Sequence, residues 1–257
     1  MAEAPFAPAA DYSQRQEFAT ASVDLGTKPD EQATQTPKPR WLSRRSIQSI
    51  VVKVPEPPAP GSPADQADLQ IEIEAQNNRT PERSAQANED DTLDMSLFLK
   101  EVKPALNPER YPKFFTLCDQ VQCEADIING AIKMRFQRPR PFVAHADAIH
   151  PLCTTSGSSY PSGHATIAFC QAKILGELFP DQKAVFVDEA KRIAQSRVVM
   201  GVHYASDIEE GERDGREIAR QLLTKPSFRA RLAEVKAEIG TEPRERSVHP
   251  QRRSERR

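Results

Sequence analysis

The chain has 257 residues, with 38% hydrophobic and 28% charged residues, 22 prolines and a mean hydropathy of -0.63. That length allows one large domain or two small ones, and the composition is too polar for a chain that is globular throughout. The formal net charge of -2 disfavours a globally basic nucleic-acid binder, and no stretch approaches the ~20 apolar residues of a membrane-spanning helix.

Residues 1–53 show no sustained periodicity and are expected to be disordered or extended. Within them, IQSIVVKV after Trp41 reads as a strand or a docking segment. The N-terminus has neither a basic n-region nor an apolar h-region, so no signal peptide is visible. Val54 to Pro63 is Pro-rich and is expected to lie extended on the surface. A helical domain is then expected over residues 54–240. Ser62-Pro63 starts a helix, with proline suited to the first turn. Asp91-Thr92 is expected to open another, and Asn107-Pro108 to cap a long one. In that long helix Phe114, Leu117, Cys118, Val121, Ala125, Ile128 and Ile132 recur at helical spacing. Further starts fall at Ser162, Asp181, Ser206 and Ser227. No alternating runs with hairpin turns intervene, so the fold class is all-α, a helical bundle. The Arg-rich tail, residues 241–257, is expected to be solvated and mobile. Cys118 and Cys123 are five apart on a helix and cannot pair with each other. Taken with Cys153 and Cys170, the four cysteines are either buried thiols or include one long-range bridge, and none has metal-ligand spacing.

Three segments carry chemistry. KMRFQRPRP places Lys133 seven residues before Arg140-Pro141. SSYPSGHAT holds Ser162, Gly163 and His164 at a helix start. SRVVMGVHYASD holds Arg197, His203 and Asp207. Singly, each has a plain structural reading. Cations suit a helix C-terminus, Ser162 is an ordinary N-cap, and His203 with Asp207 at i,i+4 makes a surface pair. Together they form a set that handles phosphate. A helix N-terminus offers unpaired N–H groups to an anion, Arg140 and Arg197 each offer a fork, and Gly163 permits close backbone approach.

In order and spacing the segments resemble the signature K-x6-RP, PSGH, SR-x5-H-x3-D of the type 2 phosphatidic acid phosphatase superfamily. The longer strings RPRPF, GSSYPSGHAT and SRVVMGVHYASD resemble its soluble branch, the bacterial class A non-specific acid phosphatases, over about residues 54–225. The resemblance implies a helical bundle of the acid phosphatase/vanadium haloperoxidase type. It implies a hydrolase of small phosphate monoesters that works through a phosphohistidine. His203 would be the nucleophile, Asp207 its orienting partner, and His164 the general acid and then base. Lys133, Arg140, Ser162, Gly163 and Arg197 would bind phosphate. No metal or cofactor is implied, nor any nucleic-acid partner, and the oligomeric state is unreadable. The soluble branch is exported, so a periplasmic or secreted protein is expected. A vanadium-dependent haloperoxidase and a non-catalytic phosphate-binding module are the alternatives. His145 and His150, in the loop before PSGH, are read as solvated or as tuning substrate access.

Overall fold

The computed structural model describes residues 38–240 apart from 101, 103 and 104. Among these the regular structure is all helical, without a strand. The helices are α1 (Arg44–Val51), α2 (Pro63–Asn77), α3 (Pro81–Asp90), α4 (Ser96–Leu99) and α5 (Pro112–Phe136). After the one-turn α6 (Pro141–Ala144) come α7 (Gly163–Leu178), α8 (Lys183–Val199), α9 (Ala205–Thr224) and α10 (Pro226–Gly240). No helix among the described residues is long and apolar enough to cross a membrane.

The bundle is built round α7. Of its side chains only Lys173 and Glu177 escape burial, because α9, α8 and α5 pack on it from three sides. The sequence GHATIAFCQAKILGEL is apolar nearly all round, as an enclosed helix must be. Against α9 the contact is unusually close. A Cβ on Gly211 would stand 2.7 Å from the Ser162 carbonyl, and one on Gly215 2.3 Å from the Thr166 carbonyl. Glycine, four residues apart on one face, lets the two backbones touch there. The N-termini of α7 and α9 therefore lie side by side, tied by a 2.9 Å bond from the Ser162 amide to the Asp207 carbonyl.

The starts of α2, α7 and α9 fall within a residue of the expected positions. The start of α8, at Lys183, follows a short 3-10 turn over Pro180–Gln182. Three expectations fail. The run after Trp41 is a helix, so residues 44–51 are neither disordered nor a strand. They dock through buried Ile50 and Val51. The segment before them is fixed by Glu124, whose carboxylate accepts the amides of Arg40 and Leu42, each at 2.7 Å, while Trp41 packs edge-on against Phe228. Asp91 ends a helix instead of opening one. Thr80-Pro81 starts α3, with the Thr80 hydroxyl accepting the Arg83 amide, and the chain then turns through Leu93 at φ 48°. Asn107 caps a separate turn by accepting the Arg110 amide, so the long helix begins at Pro112. Residues 1–37 and the 241–257 tail lie outside the described residues. Among the described residues no disulfide joins Cys118, Cys123, Cys153 or Cys170.

Two buried carboxyls give the fold a pH dependence. Glu72 on α2 is 1% exposed, and neither of its carboxyl oxygens has a hydrogen-bond partner among the described residues. Burial, with Asp207 and Asp68 nearby, pushes it up from 4.5 to about 9, against the pull of Arg79. Burial and Glu210 push Asp214 up from 3.8 to about 8, against Arg213. The folded chain thus holds two protons that the unfolded chain has released by about pH 5. More protons bound in the native state means stability that is full in acid and declines as pH rises through these folded values. Thermal melts should show the melting temperature falling from about pH 5 to pH 9. Glu72→Gln should flatten that slope, and a wild-type profile that rises over the same range would contradict the assignment.

Candidate active site

The three segments converge. Lys133 stands in the last turn of α5, Arg140 begins α6, and Ser162 caps α7 with Gly163 and His164 in its first turn. Arg197 lies in the last turn of α8, and His203 and Asp207 flank the start of α9. Arg140, Ser162, His164, Arg197, His203 and Asp207 are all buried. Lys133 is half-buried, and its ammonium donates to the carbonyls of Ser158 and Ser159.

Arg140 links the loop to the histidine. Its guanidinium donates to the carbonyls of Gly157 (3.2 Å), Ser156 (2.9 Å) and Val202 (2.9 Å), and Nη1 stands 3.2 Å from His203 Nε2. An arginine can only donate, so this contact makes Nε2 an acceptor. The proton then sits on Nδ1, which faces Asp207 Oδ2 at 3.4 Å. The geometry therefore presents the lone pair of Nε2 towards the cations. Burial, then Arg140, Lys133 and Arg197, hold His203 well below the ordinary 6.5 and keep it neutral. Burial and Arg197, with smaller contributions from His203 and Arg140, do the same to His164, against the Asp91 carbonyl. Burial and Arg140 likewise push the Lys133 ammonium well down from 10.5. Lys133, Arg140 and Arg197 thus gather round His203, with Asp207 the carboxylate among the predicted site residues.

Asp207 is fixed by four donors. Oδ1 accepts from Arg138 at 2.8 Å, and Oδ2 accepts from the Ser159 hydroxyl, the Tyr204 amide at 2.9 Å and His203. Arg138 lies 4.0 Å above the Tyr204 ring and continues to Asp68 (2.9 Å), Asp65 (3.1 Å) and the Ser206 hydroxyl (2.8 Å). Sequence reasoning overlooked Arg138 and Ser159. The doubled Arg-Pro in RPRP was the available signal for Arg138. Ser159 had none, since serines fill that loop. His145 packs edge-on near Tyr204, and His150 is exposed. Its backbone, not its ring, is bonded to Arg79 and Gln76. A cavity of about 450 Å³ adjoins the cluster. Lys133 and Arg140 line it along with Met134, Val143 and residues 155–158, whereas His164, Arg197 and His203 are not among its lining residues.

A helical bundle with a buried cluster of cations and two histidines defines a class of anion-handling proteins. Residues 123–212 of the chain match the family model of the PAP2 superfamily. It is 34% identical over 167 residues to an acid phosphatase of Zymomonas mobilis, covering 60% of this chain and 62% of that one. The match thus spans somewhat less than two thirds of that relative's length. A non-specific acid phosphatase of Providencia stuartii is 24% identical over 234 residues, covering 86% of this chain and 93% of that protein. Among solved structures, a bacterial vanadium-dependent chloroperoxidase in its apo form aligns with a TM-score of 0.54 at 13% identity, over 74% of this chain and 54% of that one. A bacterial vanadium-dependent iodoperoxidase aligns at 0.51 and 21% identity, over 66% and 52%. These two likenesses show the fold.

The Arg138–Asp207 pair has both side chains buried, so its loss should be costly. Removing one member strands the other charge and typically costs about 3–5 kcal/mol. Arg138→Met should lower the melting temperature by several degrees. In ¹⁵N spectra of labelled histidine it should also disturb the His203 ring signals. A variant as stable as the parent with unchanged ring signals would show that Arg138 does not hold Asp207.

Proposed function

We propose that the chain is an acid phosphatase that hydrolyses phosphate monoesters through a phosphohistidine at His203. The observation that carries this reading is the neutral His203, its Nε2 lone pair directed at Arg140 and its Nδ1–H at a carboxylate. The named relatives support the reaction class.

In this mechanism the phosphoryl group enters beside Arg140, with Lys133, Arg197 and the amides at the start of α7 receiving its oxygens. These donors are in place before the reaction, so they stabilise transition-state charge with little reorganisation. His203 Nε2 attacks phosphorus and the ester P–O bond breaks. The imidazole becomes positively charged as the N–P bond forms, and Asp207 stabilises that charge through Nδ1–H. His164 gives a proton to the leaving oxygen and the alcohol departs. The neutral His164 then takes a proton from water, whose oxygen attacks phosphorus. The N–P bond breaks, inorganic phosphate leaves and His203 regains its lone pair. The cations supply the charge stabilisation, so none of these steps calls on a metal.

The pH dependence follows from the depressed histidines. His203 stays neutral into the acidic range, while His164 must be protonated to donate. Its protonated fraction in the free enzyme grows only as pH falls below the ordinary 6.5. The value of kcat/KM should therefore decline from mildly acidic pH towards neutrality. Such a profile suits a periplasmic or secreted enzyme, which is where we place it.

Purified protein should release phosphate from p-nitrophenyl phosphate in the presence of EDTA. Vanadate, which adopts the five-coordinate geometry of phosphoryl transfer, should inhibit at least ~100-fold more strongly than phosphate. Activity that appears only with an added divalent cation, or peaks above neutral pH, would overturn the reading.

A further inference from the structure

Two of the buried site residues meet at a residue outside the three sequence segments. Asp91, the residue that ends α3, contacts both His164 and Arg197. Its carbonyl oxygen lies 2.9 Å from His164 Nε2, and its carboxylate is ion-paired with Arg197 Nη1 and stands 3.8 Å from His164 Nε2. The Asp91 side chain is 41% exposed, whereas those of His164 and Arg197 are 4% and 3%. One partly exposed acid thus reaches two enclosed cations or potential cations at once. Arg197 also keeps Nε buried without a partner among the described residues. A guanidinium is planar, and its edges cannot turn independently. Fixing Nη1 on Asp91 therefore fixes the direction of the unsatisfied Nε–H.

We propose that Asp91 is a positioning residue, resting on the phosphatase reading above, that sets the donor nitrogen of His164 and the ligand-facing edge of Arg197. A backbone carbonyl can only accept, so His164 Nε2 must carry a proton. The proton that reaches the leaving group then resides on Nδ1, and the ring cannot exchange the two roles. On Arg197 the Nε edge, buried and unsatisfied, is the one that takes a phosphoryl oxygen. The carboxylate also sets the charge balance at His164, which otherwise faces Arg197, Arg140 and His203. Without it, the positive charge of Arg197 acts on the imidazole uncompensated.

Asp91→Asn tests this because the backbone acceptor stays while the charge goes. His164 should become harder to protonate, so the alkaline limb of the pH–rate profile should move to lower pH. The loss of kcat should be about tenfold or more on alkyl phosphates, in the range typical of residues that orient a reacting group. It should be clearly smaller on p-nitrophenyl phosphate, whose leaving group needs little protonation. An unmoved pH profile with equal losses on both substrates would overturn the proposal, as would a rise in activity with tighter phosphate binding, the mark of a merely competing anion. ¹⁵N spectra of labelled wild-type histidine provide a test that needs neither a folded variant nor activity. The neutral His164 should be the Nε2–H tautomer, and the Nδ1–H tautomer would overturn the proposal. Wild-type protein inactive on every phosphate ester would defeat the phosphatase reading and leave the tautomer result to judge Asp91.

Discussion

The site depends on one buried carboxylate. Asp207 is fully enclosed, and a carboxylate there would be untenable alone. Arg138, the Ser159 hydroxyl, the Tyr204 amide and His203 together satisfy its oxygens. These donors come from three places along the chain, so anchoring Asp207 also sets the end of α5, the loop before α7 and the start of α9. The tautomer of His203 follows from the same arrangement. With Asp207 on one side and a guanidinium on the other, the imidazole has only one way to place its proton.

Behind the carboxylate stands a packing constraint. Asp207 and Ser162 can share a backbone hydrogen bond only because α9 and α7 approach closely through Gly211 and Gly215. The glycines bear no chemistry, yet they decide how far the N-terminus of α7 lies from His203. The acids of α2 complete the support from the other side. Asp65 and Asp68 share the charge of Arg138, while Glu72, one turn further on, is left neutral among them. A third anion on that face would repel Asp207, and protonation removes the conflict.

Much of this was legible in the sequence because it was local. Helical periodicity in α5, the series of helix starts and the lack of alternating runs between them gave the bundle. Spacing within three segments gave Lys133, Arg140, the Ser162–His164 turn, Arg197, His203 and Asp207. What escaped depends on contacts between distant segments. Asp91 looks like a helix start because an acidic residue before threonine often is one. Only the placement of α3 against α8 brings it to Arg197. Arg138 reads as half of a repeated dipeptide until α2 delivers Asp65 and Asp68 to it. The helix at residues 44–51 was hidden because its apolar run is short and β-branched, while the contacts that fix the segment leading into it, from Glu124 and Phe228, lie far along the chain.

The central claim is that this pocket transfers a phosphoryl group to His203 Nε2. The direct measurement is to quench the protein under alkaline conditions during turnover of a phosphate monoester, digest it, and locate the phosphoryl group by mass spectrometry. The account predicts that it is found on the peptide containing His203, on the imidazole, and that it is lost on brief acid treatment. A phosphoryl group on His164 or on a serine would contradict it. So would turnover of the substrate with no phosphorylated peptide at any time point.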